Sequence, residues 1–231
     1  MLKNTQINRA VTKKIAKALG ALNNKVVYVG GAVVSLYIND PSAEDVRPTK
    51  DLDLTLQIAS LSELEALREE LVSRGFVQSA QDKVVCRFRY DDVLVDVMAT
   101  EAIGWAPGNR WFASSFHLAI EYPLDDITIK LLPLPYFLAT KFDAFFDRGI
   151  KDVWNSHDYE DIIYLLNYHT ELVKLIADAE KTVKEYLKEC AVRILKNERL
   201  QEAIIGNLYH EAQEERYYLI INKLKEISVE L

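Results

Sequence analysis

The chain has 231 residues, 49% of them apolar and 27% charged, and 28 Lys and Arg against 35 Asp and Glu leave a net charge of −7. That is enough apolar material for a full globular core, as one large domain or two small ones, and the acidic balance argues against a stand-alone nonspecific nucleic-acid binder, which presents a dominant basic surface. No apolar run approaches a membrane span, and two distant cysteines, Cys86 and Cys190, with no secretory leader, give the expectation of a reducing cytoplasm and no disulfide framework.

The first 22 residues read as an amphipathic helix closed by Gly20, with Lys3, Arg9, Lys13, Lys14 and Lys17 forming a strip that is either a dock for phosphate backbones or a plain solvated face. Val26, Val27, Tyr28 and Val29 then form a short strand stopped by Gly30-Gly31. Ala32, Val33, Leu36 and Tyr37 follow at helical spacing, so backbone N–H groups at a helix start would face a triphosphate without Cβ obstruction, and Ser35 would add a hydroxyl. A close strand-to-helix turn with no ligand is the simpler alternative.

In Asp51–Ile58, acidic and apolar side chains alternate, which puts Asp51, Asp53 and Thr55 on one strand face and Leu52, Leu54 and Leu56 on the buried one. Carboxylates two residues apart repel unless a divalent cation neutralises them or they face water; Mg²⁺ suits such a pair, because it combines a few carboxylate oxygens with substrate phosphates. Residues 61–74 read as an acidic helix closed by Gly75, and 76–80 as a short strand. Residues 85–99 read as a hairpin turning at Asp91-Asp92, whose second strand carries Asp96 between Val95 and Val97, a carboxylate that needs a partner if buried. A pocket shared with Asp51 and Asp53 would supply one. Three such acids fit a two-metal displacement at phosphorus.

Residues 105–111 form a loop in this reading, 116–122 and 127–132 strands, and 133–147 a helix started by Pro133 and ended near Gly149. Lys141, Phe145 and Arg148 then share one face, suited either to phosphate or to pairing with Asp143, Asp147 or Asp152. Asp158, with Asp161 three residues on and an apolar run behind, carries a helix-start signature that competes with any catalytic role. His117, His157, His169 and His210 show no zinc-type spacing with the cysteines. From Glu171 onward, apolar positions repeat with charges between, as in a small helical bundle.

An apolar residue, Gly-Gly, a spacer, Asp-x-Asp and a later lone Asp on a strand together resemble the DNA polymerase β-type nucleotidyltransferase superfamily. Within it, the segments RPTKDLD (47–53) and LPLPYFLATKFDAFFDRGIKD resemble the AbiEii-type nucleotidyltransferases, toxins of abortive-infection and toxin–antitoxin systems, over residues 26 to about 168. The resemblance implies a glycine turn at Gly30 and Gly31, a metal pair at Asp51 and Asp53, a third acid at Asp96 acting as base or ligand, and a lysine at Lys141 that helps bind the triphosphate, a task suited to a point charge on a flexible stem. It continues through Arg148 to acids of the KD and DxxD kind, for which Asp152, Asp158 and Asp161 are candidates. The spacer before Asp51 is longer than in the shortest superfamily members, so an inserted loop is expected around 39–48, with Arg47 as a candidate phosphate contact.

The expected architecture is α+β, a polymerase β-like core with a mixed sheet flanked by helices over residues 1–132, and a C-terminal helical bundle over 133–231 that contributes Lys141. The expected activity is Mg²⁺- or Mn²⁺-dependent transfer of an NMP from an NTP to an acceptor hydroxyl. The family suggests a tRNA 3′ end or a protein as acceptor and an antitoxin as partner. Adenylylation of an aminoglycoside-like antibiotic, or a degenerate nucleotide-binding or regulatory module, are the alternatives.

Overall fold

The structure, a computed structural model, describes residues 2–49 and 51–229. The chain divides into two compact units, Met1–Ser35 with Asp45–Pro133, and Leu36–Glu44 with Leu134–Leu231. The second unit thus takes in the segment Leu36–Glu44 as well as the C-terminal helices.

One mixed six-stranded sheet organises the first unit, in the order β3-β4-β2-β1-β6-β5. β1 (Val26–Val29) is β-branched or aromatic throughout and buried at every position. It pairs antiparallel with β2 (Asp51–Leu56) on one side and parallel with β6 (Ile127–Leu131) on the other. β2 runs parallel to β4 (Val93–Ala99), which forms the expected hairpin with β3 (Arg87–Tyr90), and β5 (Ile120–Leu124) closes the far edge against β6. Asp91 adopts φ 50° at the tip of the β3–β4 hairpin, a left-handed conformation that Asp tolerates better than most residues. Leu52, Leu54, Phe88, Val95 and Val97 are fully buried, each worth roughly 1.5–3 kcal/mol on removal from water. Tyr28 lies among them and donates through its hydroxyl to Asn23 Oδ1 at 2.7 Å.

Helix α1 (Lys3–Leu19) buries Asn8, Thr12, Ile15, Ala16 and Leu19. Its first turn has no side-chain cap from Leu2; Asp45 supplies one from the loop, accepting from the Asn4 and Thr5 amides at 2.7 and 2.9 Å. The basic strip of α1 is neutralised inside the unit. Lys13 meets Asp125 and Asp126 at 2.9 and 2.6 Å, Lys17 meets Asp126 at 2.6 Å, and Lys14 meets Asp92 and Asp91 at 2.9 and 3.1 Å. Hydrogen bonds from Lys13 and Lys17 hold the Asp126 carboxyl far below its usual range.

Several local expectations are corrected. The segment after the glycines is a tight 3₁₀ run, Gly31–Tyr37, because its small and β-branched side chains (Ala32, Val33, Val34) are packed inward on every side. Residues 76–80 form no strand beyond a single bridge, Val77 to Arg89, since Phe76 turns into the core at once. Helix α2 (Leu61–Ser73) is capped by Ser60 and ends at Gly75, φ 89°, as read. Trp111 is buried and opens a short helix, α3 (Arg110–Ser115), capped by Asn109, while Phe116–Leu118 is 3₁₀ and the following strand starts only at Ile120.

In the second unit, α4 (Leu134–Ala144) is buried nearly all round, then widens into a π turn over Phe145–Gly149 and a 3₁₀ stretch over Ile150–Asn155. Helices α5 (His157–Tyr168), α6 (Leu172–Ala177), α7 (Lys181–Leu195), α8 (Glu198–Gly206) and α9 (Gln213–Val229) complete a bundle around Tyr159, Ile162, Leu166, Leu187, Ile194 and Leu224. Segment 36–44 is stitched onto it. Tyr37 stacks on Phe137 with centroids 4.4 Å apart, Asp40 pairs with Arg216 at 3.0 Å, and Tyr164 donates to the Glu44 carbonyl at 2.7 Å. None of the described helices is long and apolar enough to cross a membrane.

Replacing Asp45 by Ala removes the acceptor for two α1 amides. A loss of about 1 kcal/mol, the ordinary worth of a helix cap, is expected in chemical denaturation, and an unchanged midpoint would show that α1 starts without it.

Candidate functional site

In the first unit the β2–β4 register decides which side chains meet. Asp53 lies directly beside Asp96 in the parallel pairing, and Asp51 beside Leu94. Residues paired across strands, and those two apart along one strand, share a face, so Asp51, Asp53 and Asp96 project from one side of the sheet. Val29, the residue before the glycine turn, is the antiparallel partner of Asp53, which puts Gly30 at the acidic row. Gly30 has φ 75°, and a Cβ there would overlap the Asp53 carboxylate and stand 2.6 Å from its Cγ. A Cβ on Gly31 would run into the Arg47 guanidinium. Both glycines are therefore required by close approach, Gly30 to an acid and Gly31 to a cation.

Two residues that the sequence reading passed over complete this face. Arg87, on β3 opposite Asp96, grips that carboxylate with both branches of its fork, Nε to Oδ1 at 2.7 Å and Nη2 to Oδ2 at 2.6 Å, and its Nη2 also lies 3.5 Å from Asp51 Oδ2. Hydrogen bonding to Asp96 holds the guanidinium's pKa well above its already high ordinary value. Thr49 donates from Oγ1 to Asp51 Oδ1 at 2.9 Å and fixes that side chain's rotamer. The signal for Arg87 was the alternation Arg87-Phe88-Arg89-Tyr90, which sends Arg87 to the same face as a lone acid across the hairpin.

Carboxylate oxygens from adjacent strands are the donor type a Mg²⁺ or Mn²⁺ ion takes, and Arg87 already stands beside them as a positive charge. In donor type these residues suit a divalent cation. Among the described residues no three acidic, His or Cys side chains stand as a ready-made cage, and Asp96 is committed to Arg87. Asp51 is more open than Asp96, its side chain 42% exposed against 13%. Cys86 does not join it, since burial and then the Asp96 charge push its thiol up to about 11. Ser35 Oγ, expected to serve phosphate, is shielded from solvent without a hydrogen-bond partner among the described residues, and so is Thr55 Oγ1, which stays buried beyond the acids instead of reaching the exposed end of the face.

The second unit gathers a separate constellation. Lys141 Nζ lies 2.7 Å from Asp161 Oδ2 and 3.8 Å from Asp158 Oδ1, with the lysine and both acids at least nine-tenths buried as side chains. Arg148 reaches Asp158 Oδ2 at 2.8 Å while remaining largely exposed. Lys141 does not pair with Asp143, which accepts instead from Tyr186 at 2.6 Å. Asp152 stays apart at a kink, bonded to Asn155 at 3.0 Å. Nor does Asp158 cap α5: Ser156 does, accepting from the Tyr159 amide, which leaves Asp158 and Asp161 free of capping duty in the first turns of that helix. His157 is exposed beside Glu160 at 3.3 Å.

The model of the nucleotidyl transferase AbiEii toxin family, of type IV toxin–antitoxin systems, matches residues 16–225. The chain belongs to this family. Nucleotidyl transfer is accordingly its reaction class, and a cognate antitoxin is implied by the family's toxin–antitoxin setting. Among solved structures, an antigenic nucleotidyltransferase-like protein from Paracoccidioides brasiliensis is similar at TM-score 0.50 and 17% identity, over 90% of this chain and 96% of that one, a likeness of fold. No curated protein matches the sequence. The α+β class expected from the sequence holds for this member of the family.

Two substitutions probe this geometry. Gly30→Ala combines a strained φ with a clash against Asp53 and is expected to lower stability by about 1–3 kcal/mol, whereas a wild-type melting curve would mean that the turn relaxes freely. Lys141→Met removes the ammonium 2.7 Å from the buried Asp161 carboxylate and is expected to cost about 3–5 kcal/mol in urea titration. The double variant Lys141→Met with Asp161→Leu should regain much of that loss if the pair is what the bundle needs.

Proposed function

We propose that this protein transfers a nucleoside monophosphate from an NTP to an acceptor hydroxyl, with Asp51, Asp53 and Asp96 as the acidic centre. The observation that carries the reading is the register that sets Asp53 beside Asp96 and beneath the Gly30-Gly31 turn. Asp51 and Asp53, joined by Asp96, would hold Mg²⁺ or Mn²⁺, which when bound supplies charge neutralisation at the phosphates and a more acidic acceptor hydroxyl. Gly30 and Gly31 keep the turn close to Asp53 and Arg47, Arg47 offers charge there for a phosphate, and the buried Ser35 hydroxyl would serve a phosphate only if the turn opened. In the helical unit Lys141 is held by Asp161 and Arg148 by Asp158, and the family pattern gives this lysine a role in binding the triphosphate. The acceptor oxygen forms its bond to the α-phosphorus as the bond to the bridging oxygen breaks, pyrophosphate leaves, and Asp96 receives the hydroxyl proton.

The acceptor classes we favour are a tRNA 3′ end or a protein hydroxyl, and the regulatory partner is a cognate antitoxin, in keeping with the family's toxin–antitoxin setting. Incubation with Mg²⁺ and each α-labelled NTP, offered tRNA, total protein and aminoglycosides in parallel, tests this. Label transfer to tRNA or protein is expected, reduced roughly a hundredfold or more in Asp53→Asn, which corresponds to several kcal/mol of lost charge stabilisation. Transfer only to aminoglycosides would move the protein to antibiotic modification. No transfer to any acceptor would favour a regulatory module.

A further inference from the structure

From the contacts of Arg87 we infer that its guanidinium is a built-in competitor of the divalent cation, holding the acidic face together when no metal is bound and giving up Asp96 when one arrives. This rests on the proposed metal site at Asp51, Asp53 and Asp96. Both Asp96 oxygens accept from Arg87, at 2.7 and 2.6 Å, and the same Nη2 reaches toward Asp51 at 3.5 Å. One side chain therefore bridges acids on two strands. Its own strand position is fixed, because Arg87 is the cross-strand partner of Asp96 and Phe88, its neighbour, is fully buried. A planar fork matches a carboxylate at two points and cannot lose its proton near neutrality, so only another cation can take its place.

The competition has a definite direction. A metal that binds Asp96 must share lone pairs with the fork and accept the repulsion of a unit charge a few ångströms away. Without the fork, Asp96 would lose both of its charged hydrogen bonds and stand beside Asp53 and Asp51 on the same face. Arg87 thus trades metal affinity for a preorganised apo site, and acts on the reaction as a positioning residue through Asp96.

The test is Mn²⁺ binding to the full-length protein without nucleotide, read as loss of the free-ion electron paramagnetic resonance signal, together with thermal midpoints before and after Mn²⁺. Arg87→Gln is expected to bind Mn²⁺ roughly tenfold or more tighter than wild type, the least expected from removing one unit charge a few ångströms away even when it is screened as in bulk water. Its metal-free midpoint should fall, and Mn²⁺ should raise it by more than it raises wild type. Arg87→Lys, which keeps the charge but not the fork, should fall between, and it serves if the glutamine variant does not fold. Equal affinities in wild type and the Arg87 variants, or weaker binding in the variants, would overturn this inference alone. Absence of Mn²⁺ binding in wild type and variants alike would overturn the metal site as well.

Discussion

The acidic face depends on one constraint, the register between β2 and β4. Asp53 beside Asp96 is an unfavourable pairing taken alone, since two unit charges about 4 Å apart repel by roughly 1–4 kcal/mol between bulk water and a protein-surface dielectric. The other side of the same strands explains why it persists. Leu52, Leu54, Val95 and Val97 are fully buried, and a one-residue slip would turn one strand's apolar set outward, losing about 1.5–3 kcal/mol per side chain. Core burial outweighs the repulsion and imposes the carboxylate cluster. Arg87 and Thr49 then offset what repulsion remains by hydrogen-bonding to Asp96 and Asp51.

The helical unit solves a related problem by another route. Lys141 sits on a helix buried nearly all round, where an ammonium without a partner is untenable. Asp161 and Asp158, three residues apart near the start of α5, present their carboxylates to it, and Ser156 supplies the cap that either acid would otherwise provide. The widening to a π turn at Phe145–Gly149 follows directly after this segment. Such an insertion shifts Arg148 off the face that straight helical spacing assigns it, and it meets Asp158 from the exposed side.

Strand periodicity made much of the sheet legible. The alternation in Asp51–Leu56 and Val93–Ala99 identified the buried and acidic faces, and the Gly30-Gly31 stop and the Asp91-Asp92 turn fell where expected. A pocket joining Asp96 to Asp51 and Asp53 was expected, but the register that builds it was not legible. The contact of Arg87 with Asp96 spans a local hairpin and could be read from its alternation, whereas the register that makes Asp53 the neighbour of Asp96 joins segments some forty residues apart, and no local pattern encodes it. Helix type was also hidden. The apolar spacing behind Gly31 suits an α-helix and a 3₁₀ run alike over seven residues, and the choice was made by inward packing of Ala32, Val33 and Val34.

The cations of α1 looked available to a polyanion, yet Lys13, Lys14 and Lys17 are bound to the acids of two hairpin tips. Each such pair is exposed and contributes little to stability alone, but together they cancel the strip as a field source, because opposite charges within a few ångströms appear neutral beyond a Debye length of about 8–10 Å. An acceptor bearing phosphates would gain little long-range attraction from this helix. The cations next to the acidic face are then individual side chains, Arg87 on Asp96 and Arg47 against Gly31. Acids gathered this closely by the strand register are balanced by such short, specific contacts rather than by a broad positive field.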